Sequence, residues 1–184
     1  GLLMDFAPPI LVCALAVAGL LVAEYRDSRA GLWLTKPLAS AAFVWLAVAA
    51  GALASTYGRL VLLALLLCLL GDLLLIPRDQ PKVFRAGVFV FLLGHVAFSA
   101  AFLTRPLDPA GLLAGAVVLA LLIGWVLRWL GRSLPPDMVI PVRVYMLVIG
   151  VMSALACGAT AAGGPVLLAI GALAFTASDI SVAR

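Results

Sequence analysis

Residues 60–76 read LVLLALLLCLLGDLLLI, closed by Pro77. Seventeen residues with a single charge are close to the roughly 20 apolar residues that cross a bilayer as a helix. They are too long and too uniformly apolar for a strand. The same texture returns along the chain. Spans are expected at about 6–23, 36–54, 60–76, 86–104, 109–130, 139–160 and 165–183. Between them lie Glu24-Tyr25-Arg26-Asp27, Pro135-Pro136 and Gly163-Gly164-Pro165, the polar and breaking residues that punctuate helices. Lys36-Pro37 is expected to open the second span, with proline in the first helical turn.

Composition supports that reading. Hydrophobic residues make up 66% of the 184, against about 45–50% in soluble domains. Charged residues are only 11%, and the mean hydropathy is +1.26. These values exclude a soluble α/β enzyme, a disordered chain and a nucleic-acid module. The expected architecture is all-α: one polytopic membrane bundle of seven spans over residues 1–184, with no separate soluble domain. The net charge of +4 then reports topology, because Lys and Arg gather in cytoplasmic loops. Arg26, Arg29, Lys36, Arg78, Lys82, Arg85, Arg128, Arg132 and Arg184 fall on one side, Arg59 and Arg105 on the other. That split puts the N-terminus outside. No Lys or Arg precedes the first apolar run, so no secretory signal is expected; Met4 is a candidate start. Cys13, Cys68 and Cys157 lie within spans and lack metal-ligand spacing.

Charges inside a span cost about 2.5–3.5 kcal/mol each by insertion scales, so each is a functional candidate. Asp72 sits among leucines. Asp179 lies in Thr176-Ala177-Ser178-Asp179-Ile180, a more polar setting. His95 is the only histidine, with Ser99 one turn on and Phe91, Phe98 and Phe102 on its side. Lys36 and Arg143 begin spans at the inner face, where Asp72 and Asp179 end theirs. All four are expected within about 10 Å of that interface, and His95 about 13 Å deep. Lys36–Asp72 and Arg143–Asp179 are both 36 apart, related by a shift of 107. This spacing would suit a four-span parallel repeat, and chance would produce it too.

Each residue has a plainer reading. Either Asp could form a structural ion pair, His95 a helix–helix hydrogen bond, and Lys36 an interfacial snorkel. Tyr145 suits an interface aromatic as well as a substrate contact. Gly111-x-x-x-Gly115 fits helix packing. The chain has no G-x-S-x-G, H-E-x-x-H or P-loop pattern. Carboxyl acid–base chemistry or proton-coupled movement remains.

The ordered set Lys36-Pro37-Leu38, Leu70-Gly71-Asp72, Phe91-Leu92-Leu93-Gly94-His95 with Phe98 and Phe102, then Tyr145, Ile149 and Met152, and finally Gly171-Ala172, Phe175 and Ser178-Asp179 resembles the YhhN-like family of membrane proteins, the lysoplasmalogenases. The resemblance covers about residues 36–184. It implies a membrane enzyme of eight spans, so that a last helix would follow Asp179. It implies hydrolysis of the vinyl ether bond of lysoplasmalogens to a fatty aldehyde and glycerophosphoethanolamine or glycerophosphocholine, with no metal or organic cofactor. The partners implied are the lysophospholipid and membrane lipids, with no nucleic acid; the expected location is a bacterial inner membrane, with the site toward the cytoplasm.

The residues suit that reaction. Protonation of the vinyl β-carbon gives an oxocarbenium ion, and this needs a neutral carboxylic acid. A second carboxylate would stabilise the cation and activate water, as in glycoside hydrolysis. Asp72 is assigned as the acid and Asp179 as stabiliser and base, although the roles could be exchanged. His95 would orient water or the second Asp. Lys36 and Arg143 would hold the phosphate, with Tyr145 and Ser178 beside the substrate. The rivals are a proton-coupled carrier using the same groups and a non-catalytic lipid-binding protein.

Overall fold

The computed structural model describes residues 2–77, 79–130 and 133–164, together with Val166, Ala169, Ala172, Leu173 and Thr176. Among them the helices are α1 (Leu2–Tyr25), α2 (Arg29–Ala49), α3 (Thr56–Leu75), α4 (Pro81–Leu103), α5 (Pro109–Leu130) and α6 (Val139–Ala161). Short 3₁₀ turns at Ala52–Ala54 and Pro136–Met138 precede α3 and α6. No strand occurs among the described residues. Five helical stretches are long and apolar enough to cross a membrane: α2, α3, α4, α5 and the run Pro136–Ala161; α1 adds the shorter apolar stretch Ala14–Ala23. These are the helices of an integral membrane protein. The seventh expected span, with Ser178 and Asp179, falls largely outside the described residues, and so does the test of the repeat.

Packing divides the chain into two compact units, Gly1–Ala97 and Phe98–Arg184. In the first, α1 and α2 form a hairpin. Asp27 takes a positive φ of 49° at the turn. Ser28 then caps α2, its hydroxyl accepting from the Gly31 N–H at 3.2 Å. The seam is made of small residues. A Cβ on Gly31 would lie 2.7 Å from the Ala23 Cβ, and one on Gly19 would lie 3.0 Å from Thr35. Ala16, Ala23, Ala39 and Ala42 are buried. Lipid tails are as apolar as leucine, so membrane helices gain most from close backbone approach through small residues.

The Ser28 cap corrects the expected start of the second span. Helix α2 begins seven residues before Lys36, and Pro37 lies in its interior rather than in a first turn. Proline there cannot return an N–H to the Trp33 carbonyl, a loss apolar helices accommodate. The helix also ends earlier than expected, at Ala49, where Gly51 takes φ 82°. Ser55 caps α3 by accepting from Gly58 at 3.0 Å. Gly58 admits no side chain, because a Cβ would strike the Ala52 backbone.

The first unit also contains the α3–α4 seam. A Cβ on Gly71 would meet the Phe91 ring at 2.5 Å, one on Gly87 would meet Leu74 and Leu75 at 3.0–3.1 Å, and one on Gly94 would meet the Cys68 sulfur at 2.9 Å. Each step forward along α3 is matched by a step back along α4. The helices are therefore antiparallel in one defined register.

In the second unit α5 keeps its expected bounds, with Asp108 accepting from the Gly111 N–H at 2.6 Å. Gly111 faces Ala161, Gly115 faces Cys157, Gly158 faces Leu112 and Gly150 faces Ile123. The G-x-x-x-G pair is thus a packing motif, as expected. Helix α6 is the most enclosed: Met146, Ile149, Met152, Ser153 and Ala156 are all buried. It closes at Gly163, whose φ of 97° and neighbouring N–H bond from Gly164 to the Ala159 carbonyl (2.9 Å) turn the chain.

Candidate functional site

Asp72 lies three residues before the end of α3. Its Oδ2 accepts a hydrogen bond from the Ser40 hydroxyl on α2 at 2.7 Å. Both residues are half-buried. Lys36, also half-buried, is one turn before Ser40 on the same face of α2. At the same end of the unit, Arg29 pairs with Asp79 at 3.1 Å across the α2 start and the α3–α4 loop. Both partners are well exposed, so the pair is a marker of position more than a source of stability.

His95 is fully buried on α4. Phe91, one turn earlier, meets it edge-on with ring centroids 5.6 Å apart and planes at 64°. Phe91 in turn lies against Gly71, next to Asp72. The α3–α4 register puts His95 level with Leu67, five residues and about 7.5 Å along the axis from Asp72. Lys36 is about 6 Å from the Ser40–Asp72 level in the opposite direction, toward the Arg29–Asp79 end. The first unit therefore carries a depth series: a cation, then a hydrogen-bonded carboxyl, then a histidine.

Ser40 was not among the residues singled out by the sequence. Its place four residues after Lys36, in the middle of an apolar helix, was the available signal. The second unit carries another hydroxyl contact. Thr176 donates to the Ala172 carbonyl at 2.9 Å and lies 2.8 Å from the Ser153 hydroxyl. The Ser153 hydroxyl also reaches the Ala172 carbonyl, at 3.5 Å, so either hydroxyl can be the donor of that pair. Both are fully buried. Arg143, the fifth residue of α6, is exposed, and Tyr145 is half-buried. Asp179 and Ser178 lie outside the described residues.

The family described as YhhN matches residues 31–184, which takes in Asp72, His95, all but the first two residues of α2, and α3 to α6. The chain belongs to the YhhN family. No curated protein and no solved structure matches it. The match begins at Gly31, the residue packed against Ala23, so the YhhN segment holds all of the Lys36–Asp72–His95 series and leaves α1 outside.

Proposed function

We propose that this YhhN protein is a lysoplasmalogenase-like ether hydrolase acting on lysophospholipids with a 1-alkenyl chain. The observation that carries the reading is Asp72: a carboxyl inside a membrane-capable helix, held in one orientation by a hydroxyl of the next helix. Family membership supports it, since YhhN proteins include lysoplasmalogenases. The depth series suits a single-chain lipid entering from the Arg29–Asp79 end. The phosphate would meet Lys36 first, with Arg143, Tyr145 and Ser178 as further contacts. The vinyl ether would then lie at the Asp72 level and the alkenyl chain deeper between helices. We assign that end to the cytoplasmic side of a bacterial inner membrane, with the N-terminus outside.

In the reaction Asp72 gives its proton to the vinyl β-carbon. The π pair forms the new C–H bond, and the positive charge spreads onto the ether oxygen. Asp179, as carboxylate, offsets that charge and takes a proton from the water that adds, in a site where His95 orients the water. As the C–O bond to glycerol then breaks, the hemiacetal hydroxyl gives its proton to the Asp72 carboxylate, and Asp179 passes the proton it took from water to the departing glycerol oxygen. The products are a fatty aldehyde and the glycerophospho headgroup. Each proton taken up is returned, and the residues need supply only acid, base and position.

Aldehyde release from lysoplasmenylethanolamine by the purified protein in detergent tests the reading, with the saturated ether as control. Release from the vinyl ether alone, lost in Asp72→Asn and Asp179→Asn while both remain folded, is the expected result. No aldehyde from folded protein, combined with solute uptake driven by a proton gradient in sealed vesicles, would overturn it in favour of a carrier.

A further inference from the structure

In an apolar helix a serine or threonine hydroxyl has a default acceptor, the carbonyl one turn back. Thr35 follows that default on α2 and donates to the Gly31 carbonyl at 2.6 Å. Thr176 does the same toward Ala172. Ser40, five residues after Thr35, sends its proton across to Asp72 Oδ2 at 2.7 Å instead. A serine hydroxyl has a single proton to give. That proton is spent on one named oxygen of the proposed acid.

We propose that Ser40 is the positioning residue of Asp72: it holds Oδ2 as the acceptor, so that Oδ1 carries the transferable proton. The proposal rests on the hydrolase reading and specifies the atom that delivers the proton. Oδ2, receiving the Ser40 hydrogen, is the carbonyl oxygen of the neutral acid. The O–H bond at Oδ1 breaks as the C–H bond forms at the vinyl β-carbon, and its electron pair stays on the carboxylate. Negative charge then appears on both oxygens. The Ser40 bond becomes charge-assisted, which shortens and strengthens it. It is therefore worth more in the transition state than in the bound ground state. An interaction of that kind raises kcat and leaves KM unchanged.

The packing supports an acid that is held and not free to rotate. Gly71, beside Asp72, lies under the Phe91 ring, and Phe91 abuts His95. Ser40 approaches from α2. The carboxyl is thus held by α2 through the Ser40 bond and adjoins the α3–α4 seam, whose register is set by close approach at Gly71, Gly87 and Gly94.

The experiment uses Ser40→Ala and Ser40→Thr in the whole chain, purified in detergent. One readout is aldehyde release from lysoplasmenylethanolamine. The other is the infrared C=O stretch of the protonated carboxyl, assigned by its loss in Asp72→Asn. Ser40→Ala is expected to lower kcat about fivefold, the size of one ordinary hydrogen bond, with KM held within about twofold. The Asp72 band should move to higher frequency as its carbonyl loses the donor. Ser40→Thr restores the hydroxyl and should return both. An unmoved band in Ser40→Ala, a rise in KM at constant kcat, or no Asp72 carboxyl band in the unaltered protein would overturn the proposal. A shifted band in a protein that releases no aldehyde would overturn the hydrolase reading and leave the Ser40–Asp72 arrangement standing.

Discussion

Two hydroxyl contacts of nearly equal length, one in each unit, differ in what they can do. Ser153 and Thr176 are 2.8 Å apart, fully buried, and both neutral. Their protons are shared between the two hydroxyls and the Ala172 carbonyl. Ser40 and Asp72 are 2.7 Å apart, but the acceptor is an ionisable group and both are half-buried. The first contact joins residue 176 to α6, and such bonds between membrane helices average about 0.6 kcal/mol. The second restrains a group able to give and take a proton. A hydrogen bond within apolar helices is thus not itself a sign of function. The sign is a titratable partner that a substrate can reach.

The largest effect that would break this contrast lies at Asp72. Asp72→Asn keeps an acceptor for Ser40 and removes the acidic proton. Aldehyde release should fall about 10²–10⁴-fold, the range attributed to one acid–base group, while thermal stability stays close to that of the unaltered protein. Equal losses from Ser153→Ala would erase the distinction between the two contacts.

Next in size are the seams. Gly115→Val places a branched side chain where a Cβ alone would lie 2.8 Å from the Cys157 Cβ. Over-packing of this kind costs about 1–3 kcal/mol, read as a lower midpoint of thermal unfolding in detergent. Gly71→Ala needs chiefly the Phe91 ring to shift, since the added carbon would lie 2.5 Å from it and 3.3 Å from the Gly87 carbonyl oxygen. It should destabilise by less than Gly115→Val, yet lower turnover, because Phe91 packs against His95 and Gly71 adjoins Asp72. A full loss of stability without a separate loss of turnover would make the α3–α4 seam as purely structural as α5–α6.

The smallest effect is expected from Ser153→Ala. Thr176 keeps its bond to Ala172, so the loss should be about 0.6 kcal/mol of stability with unchanged aldehyde release. Together with Ser40→Ala, it compares two hydroxyls lost from similar bonds with different consequences for catalysis.

Much of this was legible along the chain. Helix α5 runs Pro109–Leu130 as the sequence predicted, because proline opens it, Asp108 caps it and Gly131-Arg132 follows its last apolar residue. In the sequence Lys36-Pro37 has the look of a helix start, yet α2 begins at Arg29 and Pro37 lies inside it. Ser28 supplies the actual cap, eight residues before Lys36. Apolar runs mark where lipid can surround a helix, whereas caps mark where its backbone bonds end, and the two need not coincide. Asp72 and His95 stood out as polar residues in apolar runs. Ser40 did not, because a lone serine is common in membrane helices and its role depends on what faces it.

The sequence by itself determined that this chain makes apolar helices, that it belongs with the YhhN proteins, and which polar residues those helices carry. Hydropathy and residue order suffice for that, being properties summed along one strand of chain. Only the tertiary structure decided that Ser40 answers Asp72, that Lys36 lies about 6 Å to one side and His95 about 7.5 Å to the other, and that Phe91 ties the α3–α4 seam to the histidine. Those facts depend on register between helices. Register is set by where glycines and alanines let backbones meet, and a shift of one residue turns each side chain about 100° around its helix, at 3.6 residues per turn.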